Sequence, residues 1–540
     1  MPSPKSIRTT WPVKGTGPKP SWCGWREYFR RLSITARLAF AVAALLAVIY
    51  LFFAEENWRG RRAWEICRQE LQAKAVELDW KKFVPPPVAA DENFAETPFL
   101  APLFDFNPKP RGPGQTIWRD TVGHDRAANF AAVLVPIDKQ GKISSTRLDG
   151  KMIDLEGSFA LLQSQPSRSA GSSHAFATRA EAAAAVLGAL QEYEPVLDEL
   201  RLASRRTHSR FNIDYEAEDP LSILLPHYLV LQRVCTVLEV RASAELALQK
   251  IGPAFADVQL MLYLVGSTRG EPFLMAVRSQ GSMLKRSEQI IWEGLAGRHW
   301  TEAQLEWIEM QLKSNRALEE LERDLHAERA AFGEKVFRYI RAHKNVLRNW
   351  IASTDEATQL MYLLAGPSGW FYQEQVSYHR LYDAHVLAGL EACAGRVHPG
   401  IIDEKQKALQ YQLQHSSFWH HLGFSTLLLG PLPKTIHRAA VDQNFTDQTM
   451  IACALERYRL ENAKYPPTLE ALSPRFVDRL PSDVCTGRPL KYRLLQDGRF
   501  LLYGVGWNES DDGGVMVLEQ DGTNNNADKG DWVWPPYPER

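Results

Sequence analysis

A run of seventeen residues without a charged side chain, 38–54 (LAFAVAALLAVIYLFFA), governs how the N-terminal part of this chain can fold. At ~1.5 Å of rise per residue, a helix of this length can just cross a hydrocarbon layer of ~30 Å, with Arg37 reaching back to one interface and Trp58 lying at the other. A cleaved signal peptide and a buried core helix are the alternatives. Because the run is long and its Phe-Phe-Ala end lacks the small-x-small cleavage pattern, we expect a retained membrane anchor.

Charge is distributed unevenly along the chain. The totals are 63 Lys and Arg against 64 Asp and Glu, yet residues 1–37 hold eight basic residues and one acidic residue. A nucleic-acid-binding protein spreads Lys and Arg over a folded face, so basic charge confined to a tail argues against that class.

The orientation of the span is less clear from charge. Five Lys or Arg lie within about twenty residues of either end of the run, so the positive-inside rule does not decide it. Long domains translocate largely regardless of charge, and Glu55 and Glu56 offset the basic residues beyond the run. We expect a cytoplasmic N-terminus and a large external domain.

The length of 540 residues exceeds what one core holds, since single cores stop growing near ~250–300 residues. The predicted fold is mainly α, with a strand at 131–137, a polar linker at 165–174 and a helix that starts at the capping box of Thr301 and Gln304. Composition divides the chain into a basic tail (1–37), a transmembrane anchor (38–54), a membrane-proximal helix with a Pro-rich extended segment (55–175), an all-α domain of helical hairpins (176–435) and an α+β domain (436–540).

Residues 446–540 carry the most specific pattern in the chain, an amphipathic helix followed by a Pro-Pro break and short strands with Gly and Asp turns. The informative residues are 454–462 (ALERYRLEN), Tyr465-Pro466-Pro467-Thr468, Leu472, Leu480-Pro481, Gly487, Pro489, Tyr492 and 502–506 (LYGVG). In these residues the segment resembles the globular domain of the major pseudopilin of type II secretion systems. The resemblance covers about ninety residues, a sixth of the chain.

The resemblance implies a calcium site in the terminal loop. Residues 508–531 are rich in acidic side chains with only Lys529 opposing them, and calcium is a hard cation that takes six to eight oxygen ligands. A solvated acidic turn is the alternative. The predicted ligands are Asp511, Asp512, Asp528 and Asp531, with Asn524-Asn525-Asn526 beside them.

The chain also departs from that family. The processing motif of a pseudopilin is missing from residues 32–54, and almost 400 residues separate the span from the similar segment, so assembly into a pilus is not implied. Residues 93–98 and 101–104 resemble uncharacterised bacterial membrane-anchored proteins of the same architecture, which implies no activity. The resemblances indicate a bacterial inner-membrane protein with one span, its N-terminus in the cytoplasm and its large domain in the periplasm.

Two features of the sequence come close to catalytic motifs without matching them. Residues 366–370 (GPSGW) lack the G-x-S-x-G spacing of a nucleophile elbow, and His415, His420 and His421 lack the H-E-x-x-H arrangement. The first hypothesis is therefore a non-enzymatic scaffold or interaction protein with a protein partner in the envelope. One alternative is an extracytoplasmic enzyme whose site in the helical domain uses dispersed residues such as His379, Asp383 and His385; another is an accessory component of type II secretion.

Overall fold

The computed structural model describes residues 33–107, 117–134, 150–164, 176–217, 219–344, 366–415, 422, 425, 428–430, 432–518 and 525–537. Helix accounts for 63 % of the structure and strand for 7 %, so the predicted mainly-α class is confirmed. The basic tail lies outside the described residues except for its last five positions.

The anchor and the membrane-proximal helix form one continuous helix, α1 (Ile34–Ala73), of 40 residues. The Ser33 side chain caps its start by accepting from the backbone N–H of Ala36. The most apolar 18-residue window has no residue buried against the rest of the protein, which leaves that surface available to lipid. One helix near the N-terminus is therefore long and apolar enough to span a membrane.

The segment after α1 is more helical than expected. Three short helical turns come first, at Trp80–Phe83, Phe94–Glu96 and Ala101–Phe104. Two helices follow, α2 (Thr121–Ala128) and α3 (Leu155–Gln163). Asp120 and Asp154 start these helices by accepting from backbone N–H groups one turn ahead, a capping signal that the abundance of proline obscured.

The strand predicted at 131–137 was wrong in the part that is described. Residues Ala132–Leu134 form a single 3-10 turn, and residues 135–149 lie outside the described structure. The predicted linker at 165–174 also lies outside it.

The helical domain is built of paired helices. The helix Leu274–Ala296 lies near the centre of the molecule, because it contacts the helices His227–Ala247, Ile251–Gly266, Ala317–Ala330 and Leu432–Asn462. The predicted capping box of Thr301 and Gln304 does start a helix, α9. The helices are α4 (Arg179–Leu190), α5 (Glu194–Ala203), α6 (His227–Ala247), α7 (Ile251–Gly266), α8 (Leu274–Ala296), α9 (Glu302–Lys313), α10 (Ala317–Ala330), α11 (Phe337–Ala342), α12 (Gly369–Leu381) and α13 (Pro399–Gln414).

The C-terminal part begins with a long helix, α14 (Leu432–Asn462), which packs against α8, α9 and α10. Three antiparallel strands follow in the order β3 (Lys491–Leu494), β4 (Phe500–Gly504) and β7 (Trp532–Val533). A separate hairpin pairs β5 (Met516–Leu518) with β6 (Asn525–Gly530), and a two-residue pair, β1 (Leu390–Glu391) with β2 (Arg396–Val397), lies within the helical domain.

The helical and C-terminal parts share their cores. One apolar cluster holds Leu231 and Trp292 of the helical domain together with Leu455 and Leu502 of the C-terminal part. The boundary predicted at 435/436 falls inside α14. Cys453 and Cys485 are both buried and free.

Candidate functional site

The most distinctive contact in the structure is the joint between α1 and α12, the place where the anchor meets the folded domain. The two helices cross at Gly60 and Gly369, where a Cβ atom built on either glycine would overlap backbone of the other helix. Small residues of this kind let two helix backbones approach closely. Neither position has room for a side chain.

Polar groups lock the crossing on its membrane side. Glu56 is buried, and its Oε2 accepts hydrogen bonds from the indole N–H of Trp370 (3.1 Å) and from Gln373 (3.1 Å). Its other oxygen pairs with Arg59 at 2.6 Å. The backbone N–H at the start of α12 donates to Asn57 Oδ1 at 2.7 Å. A buried carboxylate is costly unless it is hydrogen-bonded and paired, and here both conditions are met.

His379, named above under the alternative hypothesis of an enzyme, lies in this joint. Trp64 of α1 stacks on its ring with centroids 5.4 Å apart. His379 is fully buried; Arg329 Nε donates to its Nδ1 (3.2 Å), and its Nε2 donates to the carbonyl oxygen of Gly333 (3.2 Å). Burial, followed by the charge of Arg329, lowers the pKa of His379 to about 3. The ring is therefore neutral, and both nitrogens are already occupied.

Asp383 closes the far end of the joint. Its two carboxylate oxygens bind Arg329 at 2.7 Å and Lys74, just past the end of α1, at 2.8 Å. Burial opposes ionisation of Asp383, but the hydrogen bond from Lys74 and the charge of Arg329 prevail and lower its pKa. His385 follows in the next turn, half-buried, with its pKa lowered by burial.

These contacts indicate that His379 and Asp383 have a structural role in the joint. A general base needs a free nitrogen within reach of a substrate proton, and the His379 ring has both nitrogens engaged within the protein. The sequence did not reveal Arg329, which links these two side chains. In the sequence, Glu56 stands out only as a charge beyond the apolar run. Residues 366–370 stand out only because they lack the spacing of a nucleophile elbow.

A cavity of about 1110 Å³ lies beside the joint. Its walls come from the end of α1, the Pro85-Pro86-Pro87 run and residues 330–343. Lys335 Nζ donates to the Tyr215 carbonyl oxygen at 2.7 Å, and burial lowers the pKa of this lysine. Two acidic side chains in the cavity wall form ion pairs with neighbouring lysines. Glu77 pairs with Lys82 at 3.0 Å, and Glu216 pairs with Lys81 at 2.8 Å.

The predicted calcium ligands fall into two places. Asp531 is buried, and its carboxylate accepts from the backbone N–H groups of Asp512 (3.3 Å) and Gly514 (2.7 Å). Burial raises the pKa of Asp531, and these two amides oppose that rise. The carboxylate therefore organises the turn that carries Asp511 and Asp512.

Asp511 and Asp528 have partners on other elements. Asp511 pairs with Lys491 at 2.9 Å, and this hydrogen-bonded contact lowers the pKa of Asp511. Asp528 is exposed and lies 3.5 Å from His437 Nε2 on α14. Across the described ranges, no three His, Cys, Asp or Glu side chains are grouped to hold a metal ion. Residues 519–524 lie outside those ranges, so the calcium site stays a prediction.

Comparison of the chain with protein-family models, with curated proteins and with solved structures gave no match.

Proposed function

We propose that the protein is a single-pass membrane-anchored scaffold or interaction protein of the bacterial envelope, with its large domain in the periplasm. The observation that carries this proposal is the continuity of α1, whose first part is apolar and unburied and whose second part is locked to α12. A removable signal peptide needs no such attachment, whereas an anchor that positions a domain does. This attachment would hold the domain in a fixed orientation relative to the membrane.

Two experiments test anchoring and topology. The full chain should stay with membranes after alkaline carbonate extraction, and Leu45→Lys with Ile49→Lys should release it, because charged residues at the centre of a span are costly. Cys393 is exposed, whereas the other described cysteines are buried. A membrane-impermeant maleimide should label Cys393 on intact spheroplasts and Cys23 only after permeabilisation. Release of the wild-type chain by carbonate, or the reverse labelling, would contradict the proposal.

The pseudopilin resemblance forms part of the same proposal. Its support is the order of elements, in which the long helix α14 is followed by the antiparallel strands β3, β4 and β7. We propose that the C-terminal part binds a protein partner. The alternative is that the protein takes part directly in type II secretion. Cross-linked capture of the tagged full chain should recover secretion-apparatus subunits if that alternative holds, and Asp528→Ala should lose them.

Calcium binding is the remaining part of the proposal. Its support is the resemblance of the terminal loop, together with the contact of the Asp512 backbone N–H with the Asp531 carboxylate at 3.3 Å. A ligand that binds only the folded state raises the melting temperature, so 2 mM calcium should raise the Tm of the full chain by about 2 °C or more. Magnesium at the same concentration is the control. An unchanged Tm, or the same rise in an Asp511→Asn, Asp512→Asn variant, would remove calcium from the proposal.

A further inference from the structure

The folded domain reaches the level at which the apolar run of α1 ends. Phe52 belongs to that run, only two residues before its end, and its ring meets the Trp370 ring edge to face with centroids 6.3 Å apart. A residue that touches Phe52 lies close to the boundary between hydrocarbon and headgroups. Trp370 itself is buried against α1, so this contact fixes the level of α12 relative to the apolar run.

The turn that leads into α12 lies at the depth of the headgroups. Its Gly369 packs against Glu56 and Gly60, which are about 3 Å and about 9 Å beyond Ala54 along the helix axis at ~1.5 Å per residue. Headgroups add ~5–7 Å to each side of a hydrocarbon layer of ~30 Å. Ser368 in the same turn is exposed, so it faces outward at that depth.

Basic side chains gather at the same level. Arg61 and Arg62 are exposed on α1, and Arg59 is more than half exposed beside Glu56. The ammonium group of Lys344 lies 3.3 Å from the carbonyl oxygen of Gly366, which brings a further cation to the turn. Within residues 55–62 of α1, the acidic side chains that oppose these cations are Glu55 and the buried Glu56. Long basic side chains on a helix just outside a membrane reach back to the headgroups.

We propose that the domain is seated on the bilayer, with Ser368 of the turn 366–370 and with Arg59, Arg61 and Arg62 of α1 contacting anionic lipid headgroups of the leaflet from which α1 emerges. The proposal rests on the anchoring proposed above. It commits to a lipid surface as the partner, because Phe52 makes this face continuous with the membrane-spanning surface. The domain therefore lies against the membrane instead of standing away from it.

Nitroxide labels on the full chain in nanodiscs test this proposal, because they report how deep a labelled residue lies relative to the bilayer. Cys23→Ser and Cys393→Ser provide the background, and single cysteines replace Leu46, Ser368 or Glu70. Leu46 is in the span, and exposed Glu70 is about 24 Å beyond Ala54 on the same helix. Collision with oxygen and with a water-soluble nickel chelate should place the Ser368 label between the other two, with nickel accessibility at least twofold below that of the Glu70 label.

The outcomes separate this proposal from the anchoring itself. A Leu46 label in lipid with a Ser368 label as accessible to nickel as the Glu70 label would overturn the seat and leave the anchor intact. A Leu46 label accessible to nickel would overturn the anchor, and with it the seat.

Lipid composition tests the preference for anionic headgroups. Nanodiscs of equal phosphatidylglycerol and phosphatidylcholine are extracted with detergent, and the lipids retained by the protein are counted by mass spectrometry. We expect at least a twofold enrichment of phosphatidylglycerol over the bulk ratio, lost in Arg61→Gln, Arg62→Gln and kept in the control Arg488→Gln, Arg493→Gln. A wild-type ratio equal to the bulk, or the same loss in the control, would contradict the electrostatic part of the proposal.

Discussion

Gly60 and Gly369 are the residues at which α1 and α12 come closest, and their hydrogen side chains set the spacing of the joint. A methyl group at either position meets the backbone of the opposite helix, which cannot move aside as the end of a flexible side chain can. The surrounding contacts of Glu56, Trp64 and Asp383 depend on that spacing. At this scale the joint can be tested by very small changes.

Gly60→Ala should destabilise the protein by about 1–3 kcal/mol, because the added methyl group overpacks the crossing. The measurement is the Tm of the full chain in detergent or nanodiscs. Gly188→Ala in α4 is the matched control, since no described atom lies within 4 Å of the added Cβ atom. Alanine is the better helix former by ~1 kcal/mol, so the control should be neutral or stabilising. Equal effects at the two positions would argue against a tight crossing.

Asp383→Asn should lower stability by about 2 kcal/mol, because it leaves the guanidinium of Arg329, only 1 % exposed, without its carboxylate partner. Lys74→Ala removes the other partner of Asp383, but that lysine side chain is 61 % exposed, and surface ion pairs contribute little. Its expected effect is therefore smaller than that of Asp383→Asn. Thermal unfolding of the two variants checks the order, and a larger loss in Lys74→Ala would reverse our account of the joint.

At the scale of elements, α14 shows what sequence periodicity can and cannot reveal. The apolar pattern predicted a helix from residue 447, whereas α14 starts at Leu432. The missed first half buries Ile436, Ala439 and Ala440, but polar side chains are buried beside them. Asp442, Asn444 and Thr446 are examples, and such a mixed face gives only a weak apolar periodicity. The span was predictable because a bilayer imposes a long uncharged run. The joint was not, because its residues lie about 310 positions apart.

The interface of α8 with α14 contains a buried acid, Glu288. Thr446 Oγ1 donates to its Oε1 at 3.0 Å, and Lys285 of the same helix pairs with Asp442 at 2.7 Å. Burial raises the pKa of Glu288 to about 8, and the charge of Asp442 adds to the rise while Thr446 and Lys285 oppose it. The folded protein therefore keeps a proton on Glu288 at neutral pH.

This proton makes stability depend on pH. The unfolded chain releases it near the ordinary pKa of 4.5, whereas the folded protein holds it up to about pH 8, so the free energy of unfolding falls as pH rises through that window. Glu288→Gln keeps the hydrogen bond from Thr446 without the titration. This variant should have a higher Tm than the wild type, and the difference should grow from pH 5 to pH 8.5. The corresponding gain in the free energy of unfolding is at most roughly 3–5 kcal/mol. Exposed Glu65→Gln is the control, and a constant advantage would contradict burial of Glu288.

At the scale of the whole molecule, the C-terminal part belongs to the main fold. Trp292 at the centre of the helical domain donates its indole N–H to the carbonyl oxygen of Pro535 at 3.1 Å, so the chain end crosses α8. Arg457 of α14 binds Glu309 of α9 at 2.9 Å. Composition could mark where the texture of the chain changes near residue 436, but it could not show that the two parts bury each other's apolar surface.

A fragment of residues 436–540 should therefore fail to fold by itself. Its helix face and Leu455 would lose the partners that cover them, which a segment of this size cannot replace. Amide proton dispersion in NMR spectra of the fragment is the measurement, and co-expression with residues 55–435 should restore a folded complex. A well-dispersed spectrum from the isolated fragment would show that it is an independent domain.

The unbroken path of α1 through the joint also has a mechanical consequence. Ala73 lies about 28 Å beyond Ala54, so a 10° change in the tilt of the span moves that end sideways by about 5 Å. Transmembrane helices change tilt when the hydrophobic thickness of the bilayer changes. Because the folded domain is joined to α1 along this length, a thicker or thinner bilayer should rotate the whole domain together with the span.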